Sequence, residues 1–144
     1  MDWSADARSE AFEAFVQGLI AIRKGRDLML ADRFLHAGPD LRGRRYARWL
    51  MAEGGEMQDG DWDDENLRCL GLLLHEAGDA LLLLMNADHE DRAFHLPGGS
   101  GRTWLRLVDT AEGYADPDPG QTLPGDTVDL PARSLLLLET RFHG

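Results

Sequence analysis

The sequence predicts a mainly β protein, an antiparallel β-sandwich preceded by an N-terminal amphipathic helix. Three observations carry this reading. Apolar residues near the start recur with the 3.6-residue period of a helix. From about residue 41 the pattern breaks into short apolar runs separated by glycine-rich turn sequences. Two of those runs, 81–85 and 135–138, are apolar at every position, as in strands covered on both faces.

The helix is read from Phe12, Phe15, Val16, Leu19 and Ile20, which fall at i, i+3, i+4, i+7 and i+8 and so share one face. Glu13, Gln17 and Lys24 fall on the other side. Ser4 or Ser9 offers an N-terminal cap, and Gly25 stands where a C-terminal cap is wanted. A second short helix is expected between Asp27 and Leu35, before Ala37-Gly38-Pro39. Residues 1–40 therefore read as a helical arm and 41–144 as the sandwich. Covering each large apolar side chain is worth ~1.5–3 kcal/mol, so the arm needs a neighbour. It folds back on the sandwich, pairs with a second copy as a homodimer, or belongs to a further domain.

Strands are expected at Arg45–Met51, Leu67–His75, Ala80–Asn86, Arg92–Leu96, Thr103–Asp109 and Leu135–Thr140. Gly54-Gly55 and Gly78-Asp79 are hairpin signals. Pro97-Gly98-Gly99-Ser100-Gly101 and the stretch from Asp116 to Gly125 read as loops. Alternation in 104–108 places Leu105 and Leu107 opposite Trp104, Arg106 and Val108.

Composition excludes several functions. The 144 residues make about one domain, too few for a (β/α)8 barrel. A net charge of -11 argues against nucleic acid, which needs a basic face to displace counterions. The basic knot of Arg42, Arg44, Arg45 and Arg48 reads as a solvated face. Cys69 is the only cysteine, so no internal disulfide forms and a reducing cytoplasm is expected. The longest apolar runs fall far short of the ~20 residues a membrane helix needs, and the start does not read as a secretion leader.

No catalytic residue, metal ligand set or cofactor site is expected. Asp59, Asp61, Asp63, Asp64 and Glu65 form the richest acidic run, but in a loop that braces no pair of carboxyls. As a calcium loop it fails, since Asp64 replaces the turn glycine and Leu70 the bidentate glutamate. His36, His75, His89, His95 and His143 lack metal-ligand spacing. Ser134 lacks a nucleophile elbow, and Cys69, leading into an apolar strand, reads as a small hydrophobe. The glycine-rich run 98–101 has no phosphate-loop lysine.

A family resemblance runs through these blocks. Trp49-Leu50, Glu53-Gly54-Gly55-Glu56-Met57, Asp61-Trp62 and Arg68-Cys69-Leu70-Gly71 resemble WLxxDGxEMTxxDWxxxxxRxLG, typical of the end of bacterial glycogen-operon debranching enzymes, the isoamylase-like branch of the α-amylase superfamily. Leu81 to Ala87 with Glu90 and Phe94-His95-Leu96-Pro97 resembles LLLLLNAxxExxxFxLP. Trp104 with Leu107 to Ala111, and Leu130 to Leu135, are similar to WxxLLDTA and LPARSL. Phe15 to Arg23 resembles the last helix of that family's barrel. Residues 24–35 depart from the pattern, as do Ala52-Glu53 in place of Pro-Asp and Gln58 in place of Thr.

The resemblance implies a non-catalytic C-terminal domain of an enzyme that hydrolyses α-1,6 branch points in glycogen or limit dextrin. Its partner would be the catalytic (β/α)8 barrel, which carries the family's Asp and Glu residues. Two alternatives stand beside this: a stand-alone glycan-binding module and a self-associating interaction domain. Sugars stack on flat aromatic faces, so Trp62 and Trp49 are the candidate glucan contacts. In strands, large aromatics more often fill a core.

Overall fold

A computed structural model of the chain describes residues 7–30, 45–76, 78–98 and 102–140. Helix α1 spans Ala7–Lys24 and α2 spans Asp27–Leu30. The strands are β1 (Ala47–Leu50), β2 (Cys69–Glu76), β3 (Asp79–Asn86), β4 (Arg92–His95), β5 (Leu105–Asp109), β6 (Tyr114–Ala115), β7 (Thr127–Leu130) and β8 (Ser134–Thr140). Among the described residues they form one six-stranded sheet, ordered β1-β2-β3-β8-β5-β6, and a two-stranded sheet, β4-β7. Every described pairing is antiparallel.

The strands that hold the two all-apolar runs lie in the middle of the large sheet, β3 between β2 and β8. Their register sets Leu82 opposite Leu138 and Leu84 opposite Leu136 on one face, and Leu83 opposite Leu137 on the other. The first face meets the small sheet through Phe94 and Leu130, with Trp104 and Leu96 closing the layer. The second face is covered by the arm, where Ile22 and Leu28 pack with Leu81, Leu107, Val108 and Leu137. Two apolar layers explain why these strands do not alternate. The sandwich and its leading helix are thus present, and the arm folds back on the sheet.

Glycine makes two of these junctions. Gly78 closes the β2–β3 hairpin with φ +95, a left-handed conformation that side chains disfavour. Gly18 lets α1 touch β6: a Cβ there would lie 2.5 Å from the Ala115 carbonyl oxygen. The arm is also pinned by a buried ion pair. Arg26 Nε and Nη2 donate to the two Glu139 carboxylate oxygens at 2.9 Å each, and Nη2 donates to the Pro117 carbonyl at 2.7 Å.

Several expectations are corrected. The helix stripe is split: Phe15, Leu19 and Ile22 turn inward, while Phe12 and Ile20 are 67% and 49% exposed. Ser9 lies inside α1 and Ser4 outside the described residues. Gly25 does end the helix, but without a left-handed φ; its N–H donates to the Ala21 and Ile22 carbonyls. In β5 a bulge between Arg106 and Val108 interrupts alternation, so Leu107 and Val108 are both buried. The strands β6 and β7 were not expected. Residues 31–35 of the second helix, and Arg42 and Arg44 of the basic knot, lie outside the described residues.

Candidate functional site

The two tryptophans proposed for glucan contact meet. Trp49 stands on the edge strand β1, and Trp62 on a 3-10 turn at Asp59–Asp63. Their ring centroids are 5.6 Å apart at 84°, an edge-to-face contact. Trp49 is half-buried, whereas Trp62 is 47% exposed.

Local hydrogen bonds fix the segment between them. Gly54, with φ +97, allows the turn after β1, where Met51 N–H donates to the Gly55 carbonyl at 2.7 Å. Met57 is buried and its N–H donates to the Trp49 carbonyl at 2.8 Å. Arg45 binds both carboxylate oxygens of Glu56, at 2.6 and 3.2 Å. The 3-10 turn closes on Asp61, whose Oδ2 accepts from the Gln58 N–H at 2.7 Å while its own N–H donates to the Gln58 carbonyl at 3.0 Å. Asp64 Oδ1 accepts from the Asn66 N–H at 2.9 Å. Two members of the acidic run therefore build the turn, and Asp59, Asp63 and Glu65 are exposed.

A second polar cluster joins β3 to the strands that follow. Asn86, almost wholly buried, donates to the carbonyls of Glu90 and Leu130 at 3.0 Å and of Pro131 at 3.2 Å. Its Oδ1 accepts from the Asp88 N–H at 3.0 Å and from the Cys69 thiol at 3.4 Å. Asp88 in turn accepts from Arg92 Nε at 2.9 Å and from the His89 N–H at 2.7 Å. The Arg92 hydrogen bond holds the Asp88 carboxyl below the usual carboxylate range. Burial pushes the Cys69 thiol up, so at neutral pH it is a protonated donor rather than a nucleophile. A cleft of about 200 Å³ beside these groups is lined by Glu53, Arg68, Cys69, Asp88 and Arg92. Asp88 and Arg92 are spent on the clip, which links three chain segments, and Arg68 donates to the Glu65 and Leu67 carbonyls.

His75 and Arg48 line another cleft, of about 230 Å³, with Arg102. Burial, followed by the charges of Arg48 and Arg102, lowers the His75 pKa, and its Nε2 is buried without a hydrogen-bond partner. Ser134 Oγ donates to the Pro131 carbonyl at 2.6 Å, which is a turn bond. Trp104 is buried, its Nε1 donating to the Pro97 carbonyl at 3.2 Å. His36 and His143 lie outside the described residues, among which no three His, Cys, Asp or Glu side chains gather as metal ligands. None of the described helices is long and apolar enough to cross a membrane.

Sequence reasoning missed the Asn86–Asp88–Arg92 clip and the Arg26–Glu139 pair. The first was legible as a polar residue ending a leucine strand. The second joins residues too far apart in sequence to be paired by spacing. Comparison with known families matches the model described as "Isoamylase, C-terminal" to residues 46–139. No curated protein matches the chain.

Proposed function

The chain belongs to the isoamylase C-terminal family, and from that membership we propose that it is the accessory layer of a cytoplasmic glycogen-debranching enzyme. In this reading the domain braces a catalytic (β/α)8 barrel that hydrolyses α-1,6 branch points in glycogen or limit dextrin, and cuts no bond itself.

The observation that carries the reading is the two-sided helix. α1 spends Phe15, Leu19 and Ile22 on the sheet, yet keeps Phe12 and Ile20 exposed and Val16 half-buried on another side. A helix apolar on two sides is suited to a place between two layers. The sheet is one of them, and the resemblance of Phe15 to Arg23 to the last barrel helix supports the barrel as the other. Retaining glycoside cleavage needs two carboxyls about 5–5.5 Å apart on a rigid scaffold. In this reading the barrel supplies them, while the acidic run here builds a surface turn.

The test is to incubate the pure chain with phosphorylase limit dextrin and measure new reducing ends. No release above buffer is expected. Saturable release that tracks the protein through a second purification would overturn the proposal. The stripe of Phe12, Val16 and Ile20 also supports a second reading, a homodimer in which two copies cover each other. Sedimentation at rising concentration separates the two, since only the dimer gives a concentration-dependent mass.

A further inference from the structure

We propose that Trp62 is the contact point of an α-glucan-binding surface on this domain, a site that deepens the debranching reading and rests on it for the ligand's class. Trp49 stands on β1, one edge of the six-stranded sheet, with Trp62 on the turn beside it, whereas α1 crosses at β6 on the opposite edge. The helix face assigned to the barrel and the tryptophan surface are therefore different parts of the molecule.

Three features fit the site to a sugar chain. Trp62 leaves close to half its area in water, though burying an aromatic ring is strongly favourable. The ring is held in place before any ligand arrives, by its edge-to-face contact with Trp49 and by the closed turn at Gln58, Asp61 and Asp64. Rigid presentation removes the ordering cost that binding would otherwise meet. Its immediate neighbours Asp61 and Asp63 differ in use: Asp61 is bound within the turn, while Asp63, like Asp59, is exposed.

Those charges select the ligand. Carboxylates accept hydrogen bonds from sugar hydroxyls, and the apolar C–H face of a glucose ring packs on indole. An anionic ligand would be repelled by the acidic run. A cation would be attracted to both the carboxylates and the ring, but salt would weaken that attraction. A neutral glucan would bind without such dependence.

The experiment is a fluorescence titration of the intact chain with maltoheptaose and with glycogen, at low and high salt. The expected result is a saturable change in tryptophan emission that salt leaves unaltered. In Trp62→Ala, affinity is expected to fall about tenfold or more, with thermal stability near that of the parent chain. Trp62→Tyr is expected to retain part of the binding. No saturable change, unaltered affinity in Trp62→Ala, or binding abolished by salt would each overturn the site. Because barrel bracing is read through Phe12 and Ile20, either idea can fail while the other stands.

Discussion

Asn86 is a buried polar residue at the end of an otherwise apolar strand, and every hydrogen bond it makes with its side chain crosses to another part of the chain or to the turn after β3. Its amide reaches three carbonyls, and its oxygen receives Asp88 and Cys69, so the end of β3 is tied to the end of β7 and the turn that follows it. Asp88 extends the clip to Arg92, and the titration of such groups should be visible in stability. With its folded pKa depressed, Asp88 contributes stability that is full above its unfolded value of about 4 and is lost as pH falls through the lower folded value. His75 acts in a higher window. Its folded pKa is also depressed, so below about 6.5 the unfolded chain takes up a proton that the folded one resists. Urea midpoints measured from about pH 7.5 down to pH 3 should therefore fall in two stages. His75→Leu should flatten the upper stage and Asp88→Asn the lower. Curves that stay parallel to the parent in both variants would show that these groups do not govern acid sensitivity.

Among the elements, α1 shows where sequence periodicity stops informing. The five apolar positions were legible as one helix, but a stripe that wide spans two sides, and which residue faces which neighbour depends on where the helix crosses. That crossing is set by Gly18 against Ala115, a contact between residues distant in sequence that no local pattern encodes. Gly18→Ala tests it. Removing a helix glycine should stabilise by about 1 kcal/mol. Here the new methyl meets a backbone carbonyl at 2.5 Å, and overpacking of this kind costs about 1–3 kcal/mol. A net loss of stability is expected by chemical denaturation. A net gain would mean that the helix is not seated as described. β7 escaped prediction because only five residues, with one buried leucine, separate Gly125 from Pro131, and four of them form the strand. The bulge in β5 escaped for a related reason, since an inserted residue leaves the apolar run intact while reversing the faces after it.

For the whole molecule, most residues behind the family resemblance turn out to shape the fold. Trp104, Met57, Asn86 and Leu130 are buried, and Gly54 makes a turn. The order of those blocks made the sandwich legible, because each marks a strand end or a turn. The candidate site was legible only as two residue types: Trp49 and Trp62 lie thirteen positions apart, and their meeting depends on the intervening turn. In the proposed reading this molecule is one layer of a larger enzyme, joined through the outer stripe of α1. The most direct measurement adds the purified chain to an isoamylase-type debranching barrel lacking its own last helix and C-terminal domain, and follows the barrel's thermal inactivation by residual debranching activity. The parent chain should protect the barrel, and a Phe12→Asp, Ile20→Asp variant that keeps its own fold should not. Equal protection by both chains, or none by either, would mean that the outer stripe of α1 does not join this domain to a barrel.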